Sequence, residues 1–165
     1  MTRLFGLLKG WPGKPSHPPL TDASIGAYTV GVAMLVLGAL GLQEGPMAHG
    51  SLLAIGGGLV LALPTALTGL LDWLDLPKGT PARTVATVHL FTMLAATVLF
   101  AVAFVAQIHG YDHERIQTLG LVFGLAAEAL LVAGGFLGGT IVFVYGNRVL
   151  KRPETPVRDA LIPRK

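Results

Sequence analysis

The sequence predicts an all-α fold, an integral membrane four-helix bundle with both termini in the cytoplasm. Three observations lead to it. Of 165 residues, 52% belong to the hydrophobic set and 13% are charged, with a mean hydropathy of +0.65; a water-soluble domain of this size carries about twice that charge. Windows of about 19 residues find four stretches able to cross ~30 Å of hydrocarbon. Finally, 11 of the 12 Lys and Arg residues fall on segments that four antiparallel spans place on one side.

Taken in order, residues 1–21 form an arm expected on the cytoplasmic membrane surface. Its apolar run from Leu4 to Leu8 is too short for a secretory signal and is followed by prolines, so the first span is expected to stay as an anchor. The transmembrane domain covers residues 22–149, with spans near 23–42, 52–74, 82–106 and 116–144. Turn signals separate them at Gln43-Glu44-Gly45-Pro46, at Leu76 to Pro81 and at His109-Gly110-Tyr111-Asp112. Pro64 is expected to kink the second span and free a carbonyl near Thr65 or Thr68. Gly120 with Gly124, Gly134 with Gly138, and Gly135 with Gly139 repeat at small-xxx-small spacing, which lets helix backbones approach. A basic cytoplasmic tail, 150–165, closes the chain.

The charge distribution decides what the sequence pI near 9.5 means. Arg115 alone falls on the outer side, so the basic residues report orientation and attraction to anionic lipid, and no nucleic-acid partner is needed. With no cysteine, disulfides, iron–sulfur clusters, c-type haem attachment and thiol nucleophiles are excluded. No Gly-x-Ser-x-Gly elbow, His-Glu-x-x-His pair or phosphate-binding loop occurs, so the chain does not read as an enzyme.

Polar side chains gather at the cytoplasmic end. His17 and Asp22 precede or open span one, Asp72 and Trp73 end span two, His89 lies about 10 Å into span three, and Tyr145 ends span four. Thr65, Thr68, Asp72 and Asp75 share one helical stripe. Imidazoles suit haem iron or a metal ion, and a carboxylate on the second ring nitrogen raises their basicity. His17 and His89 are therefore candidate ligands, with Asp22, Asp72, Trp73 and Tyr145 around them. In the alternative reading His89 hydrogen-bonds Asp72 or a freed carbonyl, Asp22 caps the first helix, and Trp73 anchors at the interface. Glu128, near the middle of span four, is either a proton-relay carboxyl or a protonated acid bonded to Thr92 or Thr97. In the outer loops His49, His109, Asp112, His113 and Glu114 are a weaker metal candidate, because Gly110 is expected to break the helix between His109 and His113.

The motifs His17-Pro-Pro-Leu-Thr-Asp22-Ala-Ser-Ile-Gly26, Leu63-Pro-Thr-Ala-Leu-Thr-Gly69-Leu-Leu-Asp72-Trp73, His89, and Gly135-Phe-Leu-Gly138-Gly139-Thr-Ile-Val-Phe-Val-Tyr145-Gly146 resemble the bacterial domain-of-unknown-function 2231 family. The likeness covers about residues 16–149. It implies a four-helix membrane protein, sometimes fused or adjacent to Rieske-type iron–sulfur modules. The family's last motif is similar to Gly-Gly-x-Leu-Val-Tyr-x-His-Gly, whose histidine is Tyr145 here, and Ser24 stands where many members have Pro.

The expected function is an accessory or electron-transfer subunit of a respiratory-type assembly in the bacterial inner membrane. Haem b or a His-ligated metal at the cytoplasmic end is the expected cofactor. Membrane lipid, other membrane subunits or a homo-oligomer, and a Rieske-type redox protein are the expected partners. A purely structural subunit and a small transporter are the alternatives.

Overall fold

The computed structural model describes residues 8–11, 13–151 and 153–161. Four of its helices are long and apolar enough to cross a membrane. The surface placement expected of residues 1–7 lies outside the described residues. The chain enters through a two-residue hairpin, β1 (Gly10–Trp11) against β2 (Lys14–Pro15).

Helix α1 runs His17–Ala39 and begins before the expected span because Pro18 and Pro19 fit its first turn, where amide hydrogens have no helical partner. Asp22 therefore lies exposed inside the helix, and does not cap it. At the other end Gly41, at φ +86°, lets the Leu42 amide reach the Leu37 carbonyl at 3.0 Å, while its own amide donates to Gly38 at 2.9 Å. This Schellman closure turns the chain within four residues into α2, Glu44–Asp75. Glu44 and Pro46, expected in a turn, are already helical.

Helix α3, Pro81–Asp112, starts from Thr80, whose hydroxyl accepts the Arg83 amide at 3.2 Å. It continues through Gly110, contrary to the expected break, so His109 and His113 sit one turn apart with ring centroids 4.1 Å from each other. The buried Gln107 clamps the following loop: Nε2 donates to the Arg115 carbonyl at 2.9 Å and Oε1 accepts the Gln117 amide at 3.0 Å. Helix α4, Thr118–Gly139, passes into a wider π turn, Thr140–Val144. A short helix, α5 (Val157–Leu161), lies in the tail.

At 32 residues each, α2 and α3 measure about 48 Å, longer than the ~30 Å hydrocarbon layer, so their polar ends project from it. Helix α1 packs closely on α2 and α3 on α4, while α1 and α4 meet along a thinner seam. Tyr28, Leu35, Ile55, Phe100, Ala127 and Leu131 form the core, with Tyr28 stacked on Phe100 at 3.9 Å. The outer surface is apolar, as lipid requires: Leu63, Phe136 and Phe143 are each more than 70% exposed. The expected glycine seams are half right. Gly120, Gly124 and Gly134 are buried in contacts, but Gly135 faces open space.

Candidate functional site

The antiparallel topology brings the start of α1, the end of α2, the start of α3 and the end of α4 together. A cleft of about 1280 Å³ opens among them, and the hairpin and residues 147–150 cross its mouth. Lys9, Lys14, Lys78, Arg83 and Arg148 surround this end of the bundle, the basic end.

His17 is the first residue of α1, so its ring reaches sideways to α2. Nδ1 lies 3.0 Å from the Thr65 carbonyl. A carbonyl only accepts, so Nδ1 carries the hydrogen and Nε2 carries the lone pair of the neutral ring. Among the described residues the one polar contact of Nε2 is the Thr21 hydroxyl at 3.5 Å, which already donates to the His17 carbonyl at 2.9 Å. His89 repeats the arrangement from α3: Nδ1 donates to the Gly134 carbonyl at 2.8 Å, and Nε2 has no hydrogen bond among the described residues. Both rings line the cleft. Ser24 and Thr65, buried between α1 and α2, join hydroxyls at 3.1 Å beneath His17. Pro64 removes one helical donor, yet the threonines serve other carbonyls: Thr65 donates to Leu61 at 2.8 Å and Thr68 to Pro64 at 2.9 Å.

Asp72 does not meet either imidazole. The Arg148 guanidinium holds its Oδ1 through Nε at 3.0 Å and Nη2 at 2.6 Å, and also reaches Asp75 at 3.0 Å. Asp75 receives Lys9 as well, at 2.7 Å. Trp73 is more than an interfacial anchor: Nε1 donates to Thr87 at 3.0 Å, and Arg83 lies 3.5 Å above its ring while donating to the Trp73 and Leu76 carbonyls. Arg83 thus supplies the positive charge that the carbonyl end of α2 favours. Asp22 sits on the exposed rim of the cleft. Tyr145, just after the π turn, is outside it and 41% exposed, whereas Asn147 and Arg148 line the cleft.

Two further placements correct the expectations. Glu128 accepts a hydrogen bond from Thr29 of α1 at 2.9 Å, whereas Thr92 and Thr97 donate to carbonyls of their own helix. Its second oxygen is buried without a hydrogen bond. The outer histidines do not converge, since His49 donates to the Tyr111 carbonyl at 2.8 Å, apart from the His109–His113 pair. Among the described residues, no three His, Asp or Glu side chains stand together so as to hold a metal ion.

The residues that sequence reasoning missed are Arg148 and Tyr28. Arg148 had counted only as a marker of orientation. Tyr28 is 2% exposed and lines the cleft, and its hydroxyl stands beside Thr97 without a well-formed hydrogen bond among the described residues. Its position four residues beyond Ser24 on the same helical face was the available signal.

Comparison with known proteins finds a family model, DUF2231, described as a predicted membrane protein, matching residues 13–151. Curated relatives from Escherichia coli strains K12 and O157:H7, each called uncharacterized inner membrane transporter YedA, are 28% identical over 128 residues. That alignment takes in 77% of this chain but 39% of the relatives' own length. No solved structure matches the chain.

Proposed function

We propose a redox role for this chain, which belongs to the DUF2231 family of predicted membrane proteins and crosses the membrane several times. In this reading it is an accessory or electron-transfer subunit of a redox assembly in the bacterial inner membrane, with the basic end and both termini cytoplasmic. The cleft holds haem b between His17 and His89. One observation carries the reading. Both imidazoles line one cleft and give Nδ1–H to a backbone carbonyl of another helix, which leaves Nε2 as the lone-pair nitrogen of the neutral ring, the hydrogen-bonding pattern that metal-ligating histidines adopt.

The donor set favours haem over a bare metal ion. His17 and His89 would hold the iron of a haem, which needs two protein ligands at most, while no third side chain joins them among the described residues. Bound there, haem supplies one-electron transfer. The chain's own residues do the rest. The Thr65 and Gly134 carbonyls fix the ring orientations, and Leu90, Met93 and Leu131 give apolar walls. Any Rieske-type partner brings its own cluster, since this chain has no cysteine.

Detergent-purified protein is expected to carry an absorption band of haem near one per chain, lost in His17→Ala and His89→Ala. Colourless protein that takes up no added hemin removes the cofactor reading and leaves a structural subunit. The relatives' description as transporters favours a second reading, in which Glu128 is the ionisable group of a transport path. Solute or proton flux in liposomes that collapses in Glu128→Gln supports it.

A further inference from the structure

We propose that the cleft is filled sideways from the bilayer, between α1 and α4, by a lipophilic ring compound that presents an electron-pair acceptor to two imidazoles. This rests on the cleft being a binding site, and adds the route and the class of occupant.

At the water-side mouth the two flanking segments meet. A Cβ built on Gly13 would stand 2.9 Å from Leu150 Cδ1, so the hairpin and the segment after α4 touch across it. Lys14 Nζ donates to the Leu161 carbonyl at 2.6 Å. Lys9 ties the hairpin side to Asp75, and Arg148 ties the other side to Asp72 and Asp75.

The bilayer side is bare. On α1, Asp22, Gly26 and Thr29 share a face, which the Thr29–Glu128 hydrogen bond turns toward α4. On α4, Glu128 and Gly135 are two turns apart and share the opposing face. Thr29 and Glu128 close the seam near its middle. Toward the basic end it is walled by Gly26 and Gly135, both exposed, where an added Cβ would meet nothing within 4 Å. Gly135 lines the cleft itself.

The interior sets the chemistry. Its volume of about 1280 Å³ exceeds the ~300–1,000 Å³ usual for small-molecule pockets, giving room for a ring with an attached chain. Two Nε2 lone pairs call for an iron or an O–H donor, and the Tyr28 hydroxyl, which makes no well-formed hydrogen bond among the described residues, can donate to an oxygen. Haem and an alkyl hydroquinone share that chemistry, and both dissolve in lipid.

Trp11 and Trp73, the two tryptophans of the chain, line the cleft, so intrinsic fluorescence reports its filling. Hemin and decyl-ubiquinol, each supplied in phosphatidylcholine vesicles holding the full chain, are the probes. At least one is expected to quench the fluorescence. Gly135→Phe should slow filling severalfold and Gly135→Ala should not, with Gly26→Phe testing the opposite wall if the first variant fails to fold. Gly13→Cys with Leu150→Cys places the paired carbons near 3.5 Å in a chain free of other cysteines, within disulfide reach. The oxidised variant should fill as fast as the wild type. Filling blocked by the disulfide but not by the seam variants overturns the route, and quenching by neither probe overturns the class. Quenching by decyl-ubiquinol alone keeps this inference and refutes the haem reading.

Discussion

The His17 ring occupies the space that a side chain at position 69 would need. A Cβ on Gly69 would stand 2.6 Å from Cε1 and 3.1 Å from both ring nitrogens. Gly138 bears the same relation to His89 more loosely, at 3.2 Å from Cε1. Gly69→Ala is therefore expected to push His17 off the Thr65 carbonyl and cost about 1–3 kcal/mol, the usual range for overpacking. Gly138→Ala should cost less. Thermal unfolding in detergent ranks the two, and equal melting of both variants and wild type would contradict the packing.

The ion pairs at the mouth differ in depth. The Asp72 side chain is 10% exposed and that of Asp75 is 51%. Arg148→Ala leaves a buried carboxylate alone and is expected to cost about 3 kcal/mol or more. Lys9→Ala touches only the exposed carboxylate, so its effect should stay within about 1 kcal/mol. Raised salt should shrink the Lys9 effect first. The reverse ranking would show that the cleft end is not organised by Asp72.

Glu128 has one hydrogen-bond donor, Thr29. Thr29→Val leaves that oxygen without a partner and should cost about 1–3 kcal/mol. Thermal unfolding in detergent measures the loss, and Thr29→Ser, which keeps the hydroxyl, should restore most of it. A Thr29→Val variant that melts with the wild type would contradict the pairing.

Orientation is testable because the chain has no cysteine. Lys78→Cys, in the loop between α2 and α3, should react with a membrane-impermeant maleimide only when the cytoplasmic face is opened. His113→Cys should react from outside in intact cells. Exchanged reactivity would invert the topology.

Much of the fold was legible because hydrocarbon imposes one requirement, a long apolar run, that composition meets visibly at each span. The ends were less legible. Pro18 and Pro19 look like breakers until the first turn is recognised as the place that tolerates them, and Gly110 looks like a stop although Gln107 and the Arg115 carbonyl hold it in place. The site was legible as a set of residues and not as a set of pairs. His17 and Thr65 are 48 positions apart, and Asp72 and Arg148 are 76 apart. Nothing local says that Asp72 answers to an arginine just beyond α4 and not to a histidine. Glu128 likewise could be placed in depth, but its partner depended on the rotation of α1.

The central claim is that His17 and His89, which line one cleft, both keep Nε2 as the lone-pair nitrogen of a neutral ring. Solid-state 15N NMR of histidine-labelled protein in lipid measures this directly. Two of the five histidines should give neutral rings protonated at Nδ1, with one pair of signals missing in His17→Ala and the other in His89→Ala. Rings protonated at Nε2 at either position would contradict the account.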